Sequence, residues 1–207
     1  MTAMDNPKRV VLADMEFLRN LKKALQAPET GPALRRYFVN TIFDSTFVIL
    51  GVIIGSVFSH DPSRQVVIAT ILTSSVALGI STGVSVYEAE KMEQERRMQE
   101  IESALLSSLK DTHIYRLSKV STLLISLVNF SAPIMACAIT LTPFLLFSEA
   151  EVQTGGMVSV TLALSILFVT GAMMGRMTHR NPLWKGIRMA IIGFLAFLLC
   201  YWIQSLV

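Results

Sequence analysis

Five stretches built from Ile, Leu, Val, Phe, Ala and Met, at about residues 37–58, 66–87, 119–147, 156–175 and 186–206, dominate the sequence. Each can cross a hydrocarbon layer roughly 30 Å thick, which takes about 20 apolar residues in a helix. With 52% hydrophobic and only 16% charged residues over 207 positions, the chain is too apolar for an ordinary soluble domain. The expected fold is therefore all-α: a polytopic membrane protein of five transmembrane helices with short loops. Residues 1–35 read as a cytoplasmic N-terminal segment and 36–207 as the membrane domain, with one substantial helical connection at 88–118.

The basic residues set the expected orientation. Of the 18 Lys and Arg, all but Arg64 fall before the first span, between spans two and three, or around the connection of spans four and five. Lys and Arg near span ends are retained in the cytoplasm, which puts the N-terminus and the 88–118 connection inside and the C-terminus outside. The net charge of +3 then reports topology, and no nucleic-acid partner is expected. No apolar h-region with a small-residue cleavage site precedes the first span, so that span is expected to direct insertion. Cys137 and Cys200 both lie inside apolar stretches and read as packing residues.

Between residues 9 and 27, Val11, Leu12, Met15, Leu18, Leu21 and Leu25 recur at helical spacing, with Arg9, Arg19, Lys22 and Lys23 opposite. Such a helix can lie on the inner membrane surface or pack on the rest of the protein. Span three carries Pro133 and Pro143, and a bend near Pro133 is expected because proline frees a backbone carbonyl. The pairs Gly51/Gly55 and Gly171/Gly175 have the spacing that lets helices approach closely. Ordinary packing is the first explanation for that pattern, ahead of a specific dimer seam.

Asp44 is the lone carboxylate within the spans, less than two turns from the cytoplasmic end of the first. A charge at that depth costs a few kcal/mol, and such residues face a polar cavity or a partner. Asn40, Thr41 and Ser45 make this end of the helix polar. The alternative is an Asp that reaches back to the inner interface or accepts bonds from a neighbouring helix. In span two, Thr70, Ser74, Ser81 and Ser85 form a stripe leading to Glu88, and in span three Ser118, Thr122, Ser126 and Asn129 lead to Pro133. Hydroxyl stripes can line a hydrated path, or hold helices together through bonds worth about 0.6 kcal/mol each.

Beyond span two the chain continues as an expected helix dense in carboxylates: Glu88, Glu90, Glu93, Glu95, Glu100 and Glu102. Glu88, Glu95 and Glu102 share a face with Met92 and Gln99, a candidate landing site for a cation that prefers oxygen with some soft character. The competing reading is a solvated helix laced by the i,i+4 pairs Lys91–Glu95, Glu93–Arg97 and Arg96–Glu100. His60, His113 and His179 have no second His or Cys at ligand spacing, so no zinc or haem motif is present. There is no phosphate-binding glycine loop, nucleophile elbow or HExxH, and no nucleophile–base pairing for an intramembrane enzyme.

Asp44 with Gly51/Gly55 beyond it, GISTGVSVYEAEKMEQE closing span two, FSAPIMACAITLTPFLL in span three and the ending GAMMGRMTHRNPLWKGIRMAIIGFLAFLLCYWIQSL together resemble the vacuolar iron transporter family. The resemblance runs from about residue 36 to the end, and its best motif is Gly171, Gly175, Arg176, Gly186, Gly193 and Tyr201. It implies a homodimer whose first spans line a central path for Fe²⁺ or Mn²⁺, moved out of the cytoplasm in exchange for protons. Asp44 matches the aspartate that alternately holds metal and proton, and Glu90 and Glu93 resemble the start of a cytoplasmic Glu-x-x-Glu pattern.

The chain departs from the family in four places. Ser45 stands where a glycine follows the aspartate, Ser81-Thr82 replaces Ser-Met, Ser85-Val86-Tyr87 replaces Gly-Glu-Tyr, and the cytoplasmic metal-binding helices shrink to about 30 residues.

The expected function is transport of a divalent transition metal. Asn40, Thr41, Asp44, Ser74, Ser81 and Ser85 would line the path, and Asp44, Glu88, Glu90, Glu93, Glu95, Glu102 and Met92 would be the metal-contacting candidates. No permanently bound cofactor is expected, since Fe²⁺ or Mn²⁺ would be cargo. The expected location is the cell membrane rather than a vacuolar one. The missing methionine and glutamate keep a second reading open, a transport-inactive member of the fold serving as a membrane scaffold or regulator.

Overall fold

In a bilayer the backbone must satisfy its own N–H and C=O groups, so an apolar chain of this kind resolves into helices. The structure, a computed structural model, describes residues 30–59, 62–107, 112–148, 151–178 and 180–206, without the side chains of His113 and Ile114. The expected N-terminal amphipathic helix at 9–27 lies outside the described residues, as do His60 and His179. Five helices follow one another: α1 Thr30–Val57, α2 Arg64–Leu105, α3 His113–Leu146, α4 Val152–Met177 and α5 Pro182–Gln204. Among the described residues there is no strand, and all five helices are long and apolar enough to cross a membrane. The chain is an integral multi-pass membrane protein.

The helices overrun the apolar stretches that predicted them. At 42 residues, α2 is about 63 Å long at 1.5 Å per residue. That is twice the hydrocarbon thickness, and its second half is the carboxylate-rich segment. α3 holds both Pro133 and Pro143 within one unbroken helix.

The chain groups into two compact units. One contains the described residues up to Tyr37 together with Gly83–Val128, and the other contains Phe38–Thr82 and Asn129–Val207. The second holds the apolar core, where Ile49, Leu50, Ile53, Ile54 and Val57 of α1 meet Val67 and Ile71 of α2. Ala136, Cys137, Leu141 and Phe144 of α3 and Val160, Ala163 and Leu167 of α4 complete it. Cys137 is buried and Cys200 half-buried, both as free thiols, in keeping with packing roles.

Arg64, the exception to the charge asymmetry, has a local job in this unit. Its Nη1 donates to the Phe147 carbonyl at 3.0 Å, placing a cation on the carbonyls just past the C-terminal end of α3.

The glycines divide sharply. A Cβ at Gly171 would lie 2.8 Å from the Lys185 carbonyl oxygen, at Gly175 2.6 Å from Pro182 Cα, and at Gly186 2.9 Å from the Phe168 carbonyl oxygen. These are backbone atoms that cannot move aside, so the three glycines fix the close approach of α4 and α5, joined by a short turn with Pro182 at the start of α5. Gly51 has nothing within 4 Å of such a Cβ, and Gly55 only Gln204 Oε1 at 3.8 Å. The expectation of ordinary packing therefore describes Gly171/Gly175, while among the described residues Gly51 meets nothing and Gly55 meets only the end of the Gln204 side chain. Gly175→Leu is expected to destabilise the fold by about 1–3 kcal/mol through overpacking. Gly51→Ala should be neutral or gain up to about 1 kcal/mol from helix propensity. Unfolding in detergent checks both, and equal effects would refute this division of roles.

Candidate transport site

Helical spacing puts Asn40, Asp44, Val48, Gly51 and Gly55 of α1 on one face, and the packing of the second unit leaves that face uncovered. Asn40, Asp44 and Gly55 are exposed, and Val48 is 42% exposed. The opposite face is the packed one: Thr41, Ser45 and Thr46 are buried. Ser45 Oγ donates to the Thr41 carbonyl at 2.5 Å and Thr46 Oγ1 to the Ile42 carbonyl at 2.7 Å. Their hydroxyls satisfy their own helix, and Thr41, expected beside Asp44 on a path, turns into the core. Asp44 thus stands on an open helix face, less than two turns into the apolar stretch, with small residues above it.

The α2 stripe follows the same division. Ser81 and Ser85 are exposed and Ser74 half-buried, while Ser75, one residue off the stripe, is buried and donates to the Ile71 carbonyl at 2.7 Å. Thr70 at the head of the stripe returns its hydroxyl proton to the Val66 carbonyl. On α3 two residues of the polar stripe make interhelical bonds: Ser118 Oγ donates to Gln94 Oε1 at 2.8 Å, and Ser126 Oγ to the Gly83 carbonyl at 2.7 Å.

The carboxylates of α2 sort onto two faces of the first unit. Glu88 and Glu95 are exposed, Glu102 is half-buried and Met92 is 68% exposed, on the face that the spacing predicts. Glu90 and Glu93 point the other way, into a cavity of about 720 Å³ lined also by Thr30, Arg36, Tyr37, Gln94 and Arg97.

Glu90 is only 6% exposed. Tyr37 of α1 faces it across the cavity that both line, and the Arg36 guanidinium lies over the Tyr37 ring, 4.9 Å from its centroid. Beside them Thr30 Oγ1 donates to Ser121 Oγ at 3.1 Å, tying the start of α1 to α3. Glu93 pairs with Arg97 at 3.0 Å, and Arg96 with Glu100 at 3.5 Å. Lys91 reaches back to Glu88 at 3.8 Å, where the spacing predicted Glu95. Among the described residues no three His, Cys, Asp or Glu side chains come together as a metal cage, so the acidic groups are presented singly and in pairs.

Two features escaped sequence reading. Tyr37 at the mouth of span one is the partner of a buried carboxylate 53 positions later, and nothing local signals that. Glu90 carries the same residue type as its exposed neighbours, and only the packing of α1 against α2 distinguishes it. A buried carboxylate that loses a donor bears its full desolvation cost. Tyr37→Phe is therefore expected to lower stability by about 1–3 kcal/mol, while Glu90→Gln, which removes the charge and keeps an acceptor, should cost less. Chemical unfolding of the two variants checks the order, and an unchanged Tyr37→Phe protein would show that the hydroxyl contributes nothing.

The profile of the VIT family matches residues 102–205. An uncharacterized protein of Methanocaldococcus jannaschii is 30% identical over 190 residues, which span 90% of this chain and 96% of that protein. The similarity thus covers the open α1 face with Asp44 as well as the α4–α5 glycine hairpin. On these grounds the chain belongs to the VIT family, a membership that suggests membrane metal-ion transport rather than catalysis.

Proposed function

We propose that the protein moves a divalent transition metal, Fe²⁺ or Mn²⁺, out of the cytoplasm in exchange for protons, as a homodimer. The observation that carries this reading is the placement of Asp44 on a helix face that the described residues of its own chain leave exposed. An ionised carboxylate facing lipid is costly, and such groups line a bundle interior or a wet cavity. A second copy of the same face supplies both. Gly51 and Gly55 let two α1 helices approach, and Asn40 and Asp44 from each copy then line a polar seam of oxygen donors suited to a hard or borderline cation.

Asp44 carries metal in its ionised form and a proton in its neutral form, so one group serves both halves of an exchange. Ser74, Ser81 and Ser85 on the open face of α2 would complete the path. The exposed Glu88, Glu95 and Glu102 with Met92, and the inward Glu90 and Glu93, would gather cations at the cytoplasmic end. With the positive-inside distribution of Lys and Arg, that end of α1 and the acidic half of α2 lie in the cytoplasm, in a cell membrane.

Proteoliposomes are expected to show Fe²⁺ or Mn²⁺ flux coupled to a pH change, with Asp44→Ala reducing it at least tenfold. Flux that is absent in the parent, or complete in Asp44→Ala, would remove the proposal. Gly51→Leu with Gly55→Leu should shift the protein from dimer to monomer in size-exclusion light scattering without lowering its unfolding midpoint, because among the described residues those positions approach no backbone and only the flexible end of Gln204.

A specific departure favours a second reading: the family's methionine and glutamate on span two are Thr82 and Val86 here. A member without them can keep the fold as a scaffold or regulator. Saturable Mn²⁺ or Co²⁺ binding that disappears in Asp44→Ala supports transport, and no binding supports the scaffold.

A further inference from the structure

Asn129 is 1% exposed, and neither its Oδ1 nor its Nδ2 has a partner among the described residues. It sits on α3 four residues before Pro133. In an α-helix the carbonyl of residue i is taken by the N–H of residue i+4, and proline has none. The Asn129 main-chain carbonyl is therefore released at the same residue whose side-chain amide is unpaired. One residue presents two acceptors and an amide donor about ten positions into an apolar span, where lipid can answer none of them.

The polar residues around it in the sequence behave differently. Ser118 and Ser126, earlier on the same stripe, have interhelical acceptors. The buried hydroxyls of the second unit, Thr46, Ser75 and Thr140, return their protons to their own helices, and Ser159 donates to the Thr140 carbonyl at 2.7 Å. Asn129 is left with a full complement of unspent hydrogen-bonding atoms.

We propose that Asn129 and the carbonyl released by Pro133 hold an ordered water molecule inside the membrane domain. Water is the ligand these groups suit. It accepts from Nδ2 while donating to Oδ1 or the main-chain oxygen, and a buried water needs two to four such partners. A metal ion suits them poorly, because the amide presents N–H bonds as well as oxygen and the described residues hold no cluster of three His, Cys, Asp or Glu. The water closes the gap that Pro133 opens in the α3 ladder, which lets the span carry a proline at mid-depth without a bare carbonyl.

The test is water-edited solid-state NMR on protein in lipid bilayers with ¹⁵N-labelled asparagine. Rapid transfer from water to Asn129 Nδ2 is expected. Pro133→Ala, which restores an N–H to the Asn129 carbonyl, should weaken that transfer at least twofold. No transfer to Asn129 in the parent, or identical transfer in Pro133→Ala, would overturn the site. Thermal unfolding gives a second readout that needs no labelling. Asn129→Leu removes a hydrated amide and strands the carbonyl, so its midpoint should fall by roughly 2–4 °C or more. A midpoint that rises would mean that the amide sits dry and unpaired, and would overturn the proposal.

Discussion

Lipid gives a buried N–H, C=O or hydroxyl no partner, and the polar residues of this chain are arranged around that fact. Thr46, Ser75 and Thr140 return their hydroxyl protons to a carbonyl on their own helix, so they cross the membrane without needing a neighbour. Ser126 and Ser159 donate theirs, and Arg64 a guanidinium N–H, to a carbonyl elsewhere in the chain, and each such bond joins one segment to another. Bonds of this kind average about 0.6 kcal/mol, too little to drive folding singly but enough to choose between packings of otherwise equivalent apolar surface.

Because lipid tails are as apolar as leucine, burying side chains does not by itself draw membrane helices together, and close backbone approach carries much of the association. The α4–α5 hairpin shows this at Gly171, Gly175 and Gly186, where an added methyl would strike backbone atoms of the partner helix. The α1 face shows the converse. Gly51 and Gly55 have the same spacing, but among the described residues no backbone approaches them, on the face that carries Asp44. A proposed second copy would use there the same packing device that the hairpin uses within the chain.

Ionisable groups divide by depth in the same way. On the long α2 extension, carboxylates and bases pair at exposed positions, as Arg96 does with Glu100, and such pairs contribute only a few tenths of a kcal/mol each. Glu90, buried and facing Tyr37, is in a different situation, because an inward carboxylate persists only where donors compensate its desolvation. Acidic density along a helix therefore does not report a binding surface by itself. Orientation around the helix axis decides which carboxylates meet solvent and which meet protein.

What the sequence determined by itself is what depends on length and periodicity. Five apolar runs of about 20 residues dictate five helices, the acidic run after span two continues the same helix, and the order of motifs from Asp44 to Tyr201 marks the family. Such properties need only local spacing and the thickness of a bilayer. Tertiary structure alone decided which of two identical glycine pairs packs within the chain, that Thr41 turns inward while Asn40 and Asp44 stay open, that Glu90 takes Tyr37 as its partner, and that Asn129 keeps none. Residues a single step apart on a helix differ by 100° in direction, and only the placement of the neighbouring helices says which direction is protein and which is lipid, water or a second chain.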